Sequence, residues 1–261
     1  MLKKIFNRIR NITLNNVVTN HVLILVKKDY LIKKWRNNWA DMEYNTEMSP
    51  QENVGCSHSP LVQGFADKTH AVLKQKIKEN FSDKKTVMDM GCGTGLYLKD
   101  FPEEFSLTGI DLNAEFLKVA EEIVPRIKTI HGNYLHIDIN EKYDVIISIG
   151  VLMYIEPSSL KKMIKKLFDN LNVGGKIFFQ YSHALLYKDL VFSDLSYVRY
   201  SPTYFEKALA PYFTIIEHKH FFDDRTVEKY DKDRYYYPNG KEDRVDTVQN
   251  SYLLIAEKKN L

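Results

Sequence analysis

From residue 86 onward, short apolar runs alternate with amphipathic helical patterns. Thr86–Met90 and Ser106–Asp111 read as strands, and Lys128–His131 as a short third. Tyr143–Ile149 is a continuous apolar run, as expected of a strand buried on both faces of a parallel sheet. Between them, the pattern predicts a helix through Leu98 after the first strand and another over Ala114–Ile123, stopped near Pro125. Ser158–Asn170 has the helical period, with Leu160, Met163, Ile164, Leu167 and Phe168 on one side, lysines on the other, and Ser158 as the expected cap. Lys176–Tyr181 reads as a fifth strand after Gly174-Gly175. The rhythm then changes. Pro202–Ala210 is helical, while Phe213–Phe222 and Ser251–Glu257 are strands joined without a helix and therefore expected to be antiparallel. The alternation predicts an α/β fold, doubly wound, whose mostly parallel seven-stranded sheet carries an antiparallel C-terminal strand.

The first 60 residues are of another kind. Leu2, Ile5, Phe6 and Ile9 share a helical face with Lys3, Lys4, Arg8 and Arg10 around it, so a basic, helical N-terminal extension (1–60) is expected ahead of the domain (61–261). Residues 1–39 hold nine Lys or Arg against one acid, Asp29. The whole chain has 37 basic and 34 acidic residues, so the remainder is net acidic and a nucleic-acid partner is not expected. The basic segment suits weak contact with an anionic membrane surface or packing on a domain or second subunit. The apolar run Val22–Val26 is far too short to span a bilayer, and no cleavage signal follows it, so a cytoplasmic location is expected. Cys56 and Cys92 have no metal-type spacing, and Cys92 lies inside a glycine-rich turn.

That turn, Asp89-Met90-Gly91-Cys92-Gly93-Thr94-Gly95, is the informative segment. Glycines let a backbone turn sharply and approach a ligand where a Cβ would collide. Twenty residues after Gly91, Asp111 ends the second strand, where a carboxylate can accept both hydroxyls of a ribose. A dinucleotide site shares this outline. Here, however, the spacing is Gly-x-Gly-x-Gly, and Asp89 sits two residues before the first glycine.

The turn resembles the first motif of the class I (Rossmann-like) S-adenosylmethionine-dependent methyltransferases. Tyr143–Ile155 is similar to their fourth motif, and Val173-Gly174-Gly175-Lys176-Ile177 to the turn before their fifth strand. The resemblance implies S-adenosylmethionine as cofactor, S-adenosylhomocysteine as product, and no metal. It implies that Gly91, Cys92, Gly93 and Gly95 border the methionyl part, with Asp89 holding the turn or the ammonium. It places Asp111 on the ribose and Leu112 beside the adenine. Asn133, with Tyr134 beside it, stands at a position that is often Asp, and Ser148 and Gly150 border the sulfonium. Asp144 is read as structural.

The acceptor half is thinner. A hydroxyl acceptor needs a base, and His183, just after the fifth strand, is the candidate, with Tyr154 positioning the acceptor. His58, Trp39 and Tyr44 are candidates for enclosing substrate, and His136 is a weaker one. The expected reaction is O-methylation of a polar small molecule, such as a sugar or nucleotide-sugar of bacterial surface-polysaccharide synthesis. Arg234-Tyr235-Tyr236-Tyr237-Pro238 is suited to stacking on it. N-methylation of a small amine, or a non-catalytic donor-binding subunit, stays open.

Overall fold

A computed structural model describes residues 36–53, 60–182, 190–193, 197–200, 202–220, 235–236, 242–243 and 251–261. After helical turns at 36–40 and Pro50–Asn53, the chain forms α1 (Pro60–Lys76), which widens into a π turn over Ile77–Phe81. There follow β1 (Thr86–Met90), β2 (Ser106–Asp111), α2 (Ala114–Ile123), β3 (Ile127–His131), β4 (Tyr143–Ile149), α3 (Pro157–Asp169) and β5 (Leu171–Ser182). A hairpin of β6 (Leu190–Ser193) and β7 (Tyr197–Tyr200) precedes α4 (Pro202–Leu209) and β8 (Phe213–His220). The two-residue pair β9 (Tyr235–Tyr236) and β10 (Glu242–Asp243) and finally β11 (Ser251–Lys258) complete the described chain.

The main sheet runs β3-β2-β1-β4-β5-β11-β8. Five strands pair in parallel, and β11 runs antiparallel to both β5 and β8. The expected seven-stranded mixed sheet is therefore present. Side chains alternate across it. Met88, Met90 and Ile146 face the layer of α3 and α4, whereas Val87, Val145 and Ile147 face that of α1 and α2. Each such buried aliphatic contributes about 1.5–3 kcal/mol, so the central strands β1 and β4 are the rigid floor of any site at their ends.

Three local expectations are corrected. No α-helix follows the glycine-rich turn: the chain makes turns and a 3₁₀ helix at Leu98–Asp100. Pro102 forces its predecessor out of the helical region, and Phe101 is extended at φ −77°, ψ 142°, leaving too few residues for an α-helix. Ser158 is not the cap of α3. Glu156 takes that place in extended conformation, with Pro157 in the first turn, where its missing N–H costs nothing. Lastly, β5 begins at Leu171 rather than Lys176, because Leu171 pairs with Tyr143 before the register shifts and resumes at Val145–Lys176. Among the described residues no helix is long and apolar enough to cross a membrane.

Candidate active site

The turn after β1 is woven to β2 by its own backbone. Gly91, Gly93 and Gly95 have φ of +79°, +52° and +74°, a region that strongly favours glycine. A Cβ on Gly91 would lie 2.4 Å from Cγ2 of Val151, so the turn touches the loop after β4 directly. The N–H groups of Gly91 and Cys92 donate to the Ile110 carbonyl at 2.8 and 3.0 Å. Those of Gly93 and Asn113 donate to the two carboxylate oxygens of Asp111 at 2.8 and 2.9 Å. Burial raises the Asp111 pKa, and these N–H bonds only partly oppose that rise.

Beneath the turn lies Asp89, 1% exposed, with Oδ1 lacking any hydrogen-bond partner. Burial, and secondly the nearby Asp111, push its carboxyl well above the usual carboxylate range. A buried acceptor left unpaired is costly and rare. A cationic N–H donor entering the turn would satisfy that oxygen and restore the charged form, which is the fit an amino-acid ammonium requires. Cys92 is a packing residue by comparison. Its Sγ would sit 2.7 Å from a Cβ on Gly109, and burial pushes the thiol pKa well up, which makes it a poor nucleophile.

The facing strand ends leave room. Gly150 adopts φ +72°, donates its N–H to the Gln180 carbonyl at 3.0 Å, and has no heavy atom within 4 Å of where a Cβ would stand. The Ser148 hydroxyl donates to the Met90 carbonyl at 3.2 Å, tying β4 to the mouth of the turn. Leu112 is half-buried, with its carbonyl 2.8 Å from Nε2 of His131. The Asn133 Oδ1 accepts the Leu135 N–H at 3.0 Å, a local turn bond that uses one of its two lone pairs. Tyr134 does not join this group. It is 6% exposed in the core, with its hydroxyl donating to Asn170 at 3.2 Å and Lys166 over its ring.

The residues 36–53 cross the carboxyl ends of the strands as a strap. Arg36 and Glu156 form an ion pair at 2.6 Å, with side chains only 8% and 6% exposed. The Trp39 ring stands edge to face with Tyr154, centroids 6.0 Å apart. Nδ2 of Asn113 donates to the carbonyls of Trp39 and Met42 at 2.9 and 2.7 Å, while its Oδ1 caps α2. Glu115 accepts the Tyr44 N–H at 3.0 Å, and Thr94 donates to the Pro50 carbonyl at 3.4 Å. The sequence signals only part of this. Asn113 is visible as a cap before Ala114, but its second role and the Arg36–Glu156 pair, 120 residues apart, leave no local signature.

The structure therefore gathers Asp89, Gly91, Cys92, Gly93, Gly95, Asp111, Leu112, Asn133, Ser148, Gly150 and Tyr154 around one end of the sheet. His183, His58, Arg234, Tyr237, Pro238 and residues 1–35 lie outside the described residues, as does Cys56. His136 is exposed, with its N–H bonded to the Asn133 carbonyl. Among the described residues no group of three or more His, Cys, Asp or Glu is arranged to hold a metal. A groove of about 500 Å³ lies at the opposite end of the sheet, lined by Thr86, Ser106, Arg126, Lys128 and Glu141 among others.

Comparison with known proteins agrees with this geometry. The methyltransferase domain family matches residues 87–175. Malonyl-[acyl-carrier protein] O-methyltransferase of Priestia megaterium is 29% identical over 133 residues, 47% of each chain. Carboxy-S-adenosyl-L-methionine synthase of Helicobacter pylori is 26% identical over 110 residues, 40% of this chain and 46% of its own. The chain thus spans about half the length of the curated relatives it matches. Among solved structures, the N-methyltransferase NodS of Bradyrhizobium japonicum, in complex with S-adenosyl-L-homocysteine, superposes with a TM-score of 0.60. That alignment covers 87% of this chain and 99% of NodS at 14% identity, a likeness of fold.

Proposed function

We propose that this chain, whose residues 87–175 match the methyltransferase domain family, is a class I, Rossmann-like enzyme that transfers a methyl group from S-adenosylmethionine to a hydroxyl of a polar small molecule. A sugar or nucleotide-sugar is the acceptor class favoured. The observation that carries the donor half is the buried, unpartnered Oδ1 of Asp89 beneath a glycine turn that admits no Cβ at Gly91. When bound, the donor supplies an already activated methyl group, so the protein's work is placement. Asp89 receives the ammonium, Asp111 the ribose hydroxyls, and Asn133 the adenine amino group through its second lone pair. Gly150 leaves the space in which donor and acceptor meet.

For the acceptor, His183 follows Ser182, the last residue of β5, and β5 reaches Gly150 through Gln180. An imidazole there takes the proton from a hydroxyl that is otherwise a weak nucleophile. Tyr154 lines the acceptor side of the same crevice.

The donor reading is tested by calorimetric titration. S-adenosylhomocysteine should bind and raise the thermal midpoint, because a ligand of the folded state alone stabilises it. NAD should do neither, and the reverse result would sink the reading. The acceptor reading is tested by screening sugars and nucleotide-sugars for donor-dependent mass gain of one methyl group. His183→Ala should then reduce turnover at least ~100-fold with donor affinity unchanged. An amine as the sole productive acceptor would replace O- by N-methylation.

A further inference from the structure

The strap raises a question that its stability does not answer. A buried ion pair such as Arg36–Glu156 (2.6 Å) is a poor stabilising device, because desolvating two charges offsets most of their attraction. It is effective at fixing register. The residue it fixes is Trp39, on the same helical turn three positions along. A second anchor acts on Trp39 itself: its carbonyl accepts a bond from Asn113, whose N–H is bonded to Asp111. Asn113 lies just beyond β2, and Tyr154, which meets the Trp39 ring, lies just beyond β4. Strand β1 runs between those two strands. Trp39 therefore bridges across the carboxyl end of β1, over the glycine turn. The Trp39 and Tyr154 residues are both half-buried, so the pair stands at the surface of the crevice rather than in the core.

The face of an indole attracts a cation, and the effect grows when water is excluded. S-adenosylmethionine carries a sulfonium cation, and S-adenosylhomocysteine a neutral thioether. The two share the ammonium, ribose and adenine, so Asp89 and Asp111 cannot tell them apart. A polarisable aromatic pair over the turn can.

We propose that Trp39, with Tyr154, is the residue by which this protein discriminates the charged donor from the neutral product, holding the sulfonium by its ring face and favouring product release. The inference rests on the donor reading above, and its test separates the two. The full chain is titrated with S-adenosylmethionine and with S-adenosylhomocysteine, as wild type, Trp39→Phe and Trp39→Leu. Trp39→Leu should weaken the sulfonium compound about 5- to 20-fold and the thioether less than about 2-fold, with Trp39→Phe retaining most of the preference. If Trp39→Leu does not fold, Trp39→Met, closer in volume, is read in the same way. Equal loss of both ligands would make Trp39 a roof of shape alone and overturn the inference. So would unchanged affinity for both with a raised KM for the acceptor, which would make the ring an acceptor wall. Both of those results leave the donor reading standing. A wild-type chain that binds neither compound removes the reading and the inference together.

Discussion

Two aspartates on neighbouring strands, Asp89 on β1 and Asp144 on β4, are the same chemical group treated in opposite ways. Asp144 sits at the amino end of the sheet, where its carboxylate accepts the N–H groups of Lys85 and Thr86, the Thr86 hydroxyl and the Asn172 amide, all between 2.8 and 3.0 Å. Burial acts to raise its pKa, yet these bonds outweigh it and hold the carboxyl below its usual value. Asp89 sits at the carboxyl end with one oxygen unpartnered, and burial drives its carboxyl well above the usual range. A carboxylate that serves the fold is saturated by the fold. The other is left one hydrogen-bond donor short, at a cost to the protein that the proposed ammonium would relieve.

Neutralising each aspartate is the strongest way to break this contrast. Asp89→Asn should lower S-adenosylhomocysteine affinity at least ~50-fold while raising the ligand-free thermal midpoint, since it removes a group that burial penalises. Asp144→Ala should do the converse, leaving affinity within about 2-fold and costing about 1–2 kcal/mol in denaturant unfolding, a figure moderated because water reaches the site. If both substitutions destabilise and both spare binding, the distinction is wrong.

Gly150→Ala sharpens the comparison at the mouth of the crevice. The φ of +72° costs about 1 kcal/mol of stability for a residue with a Cβ, yet no protein atom obstructs it. Affinity for the donor should therefore fall about 10-fold, more than the modest loss of stability suggests. Titration at matched folded fraction checks this.

The pH dependence carries the opposite signs of the two acids. Asp89 keeps its proton in the native state above the pH at which the unfolded chain releases it. Its contribution to stability is therefore fully present at low pH and is lost as pH rises from about 4 toward the raised native value. Asp144 contributes stability above about pH 4 that is lost as pH falls through its lowered native value. The stability gap between Asp89→Asn and wild type should thus widen with pH from 4 to 8 in ligand-free chemical denaturation. A flat gap would count against a buried, under-bonded carboxyl at Asp89. Smallest is Ser148→Ala, which removes the bond to the Met90 carbonyl and should cost about 0.5–1.5 kcal/mol with donor affinity nearly unchanged.

Much of this was legible along the chain because it rests on local periodicity and backbone need. The short run at Thr86–Met90, the 3.6-residue pattern over Ala114–Ile123 and the apolar Tyr143–Ile149 each determine an element without reference to distant residues, and each appears with those bounds. The glycine spacing and Asp111 mark the turn for the same reason: only certain residues tolerate positive φ or a close approach. What failed locally failed through competition. Pro102 overrode the helical pattern after Gly95, and the pairing of Leu171 with Tyr143 drew β5 backward past its glycines.

Tertiary structure alone decided that Asp89 keeps one oxygen unpartnered while Asp144 is saturated, because the bonds to Asp144 come from neighbours 28 to 59 residues away. It alone turned Tyr134 into the core and drew residues 36–53 across the glycine turn through Arg36, Trp39 and Asn113. The sequence by itself determined where a backbone can bend closely enough to admit a ligand. Which charges stand ready around that bend, and what closes over it, is decided only when β1, β2 and β4 are laid side by side and their ends brought within reach of one strap.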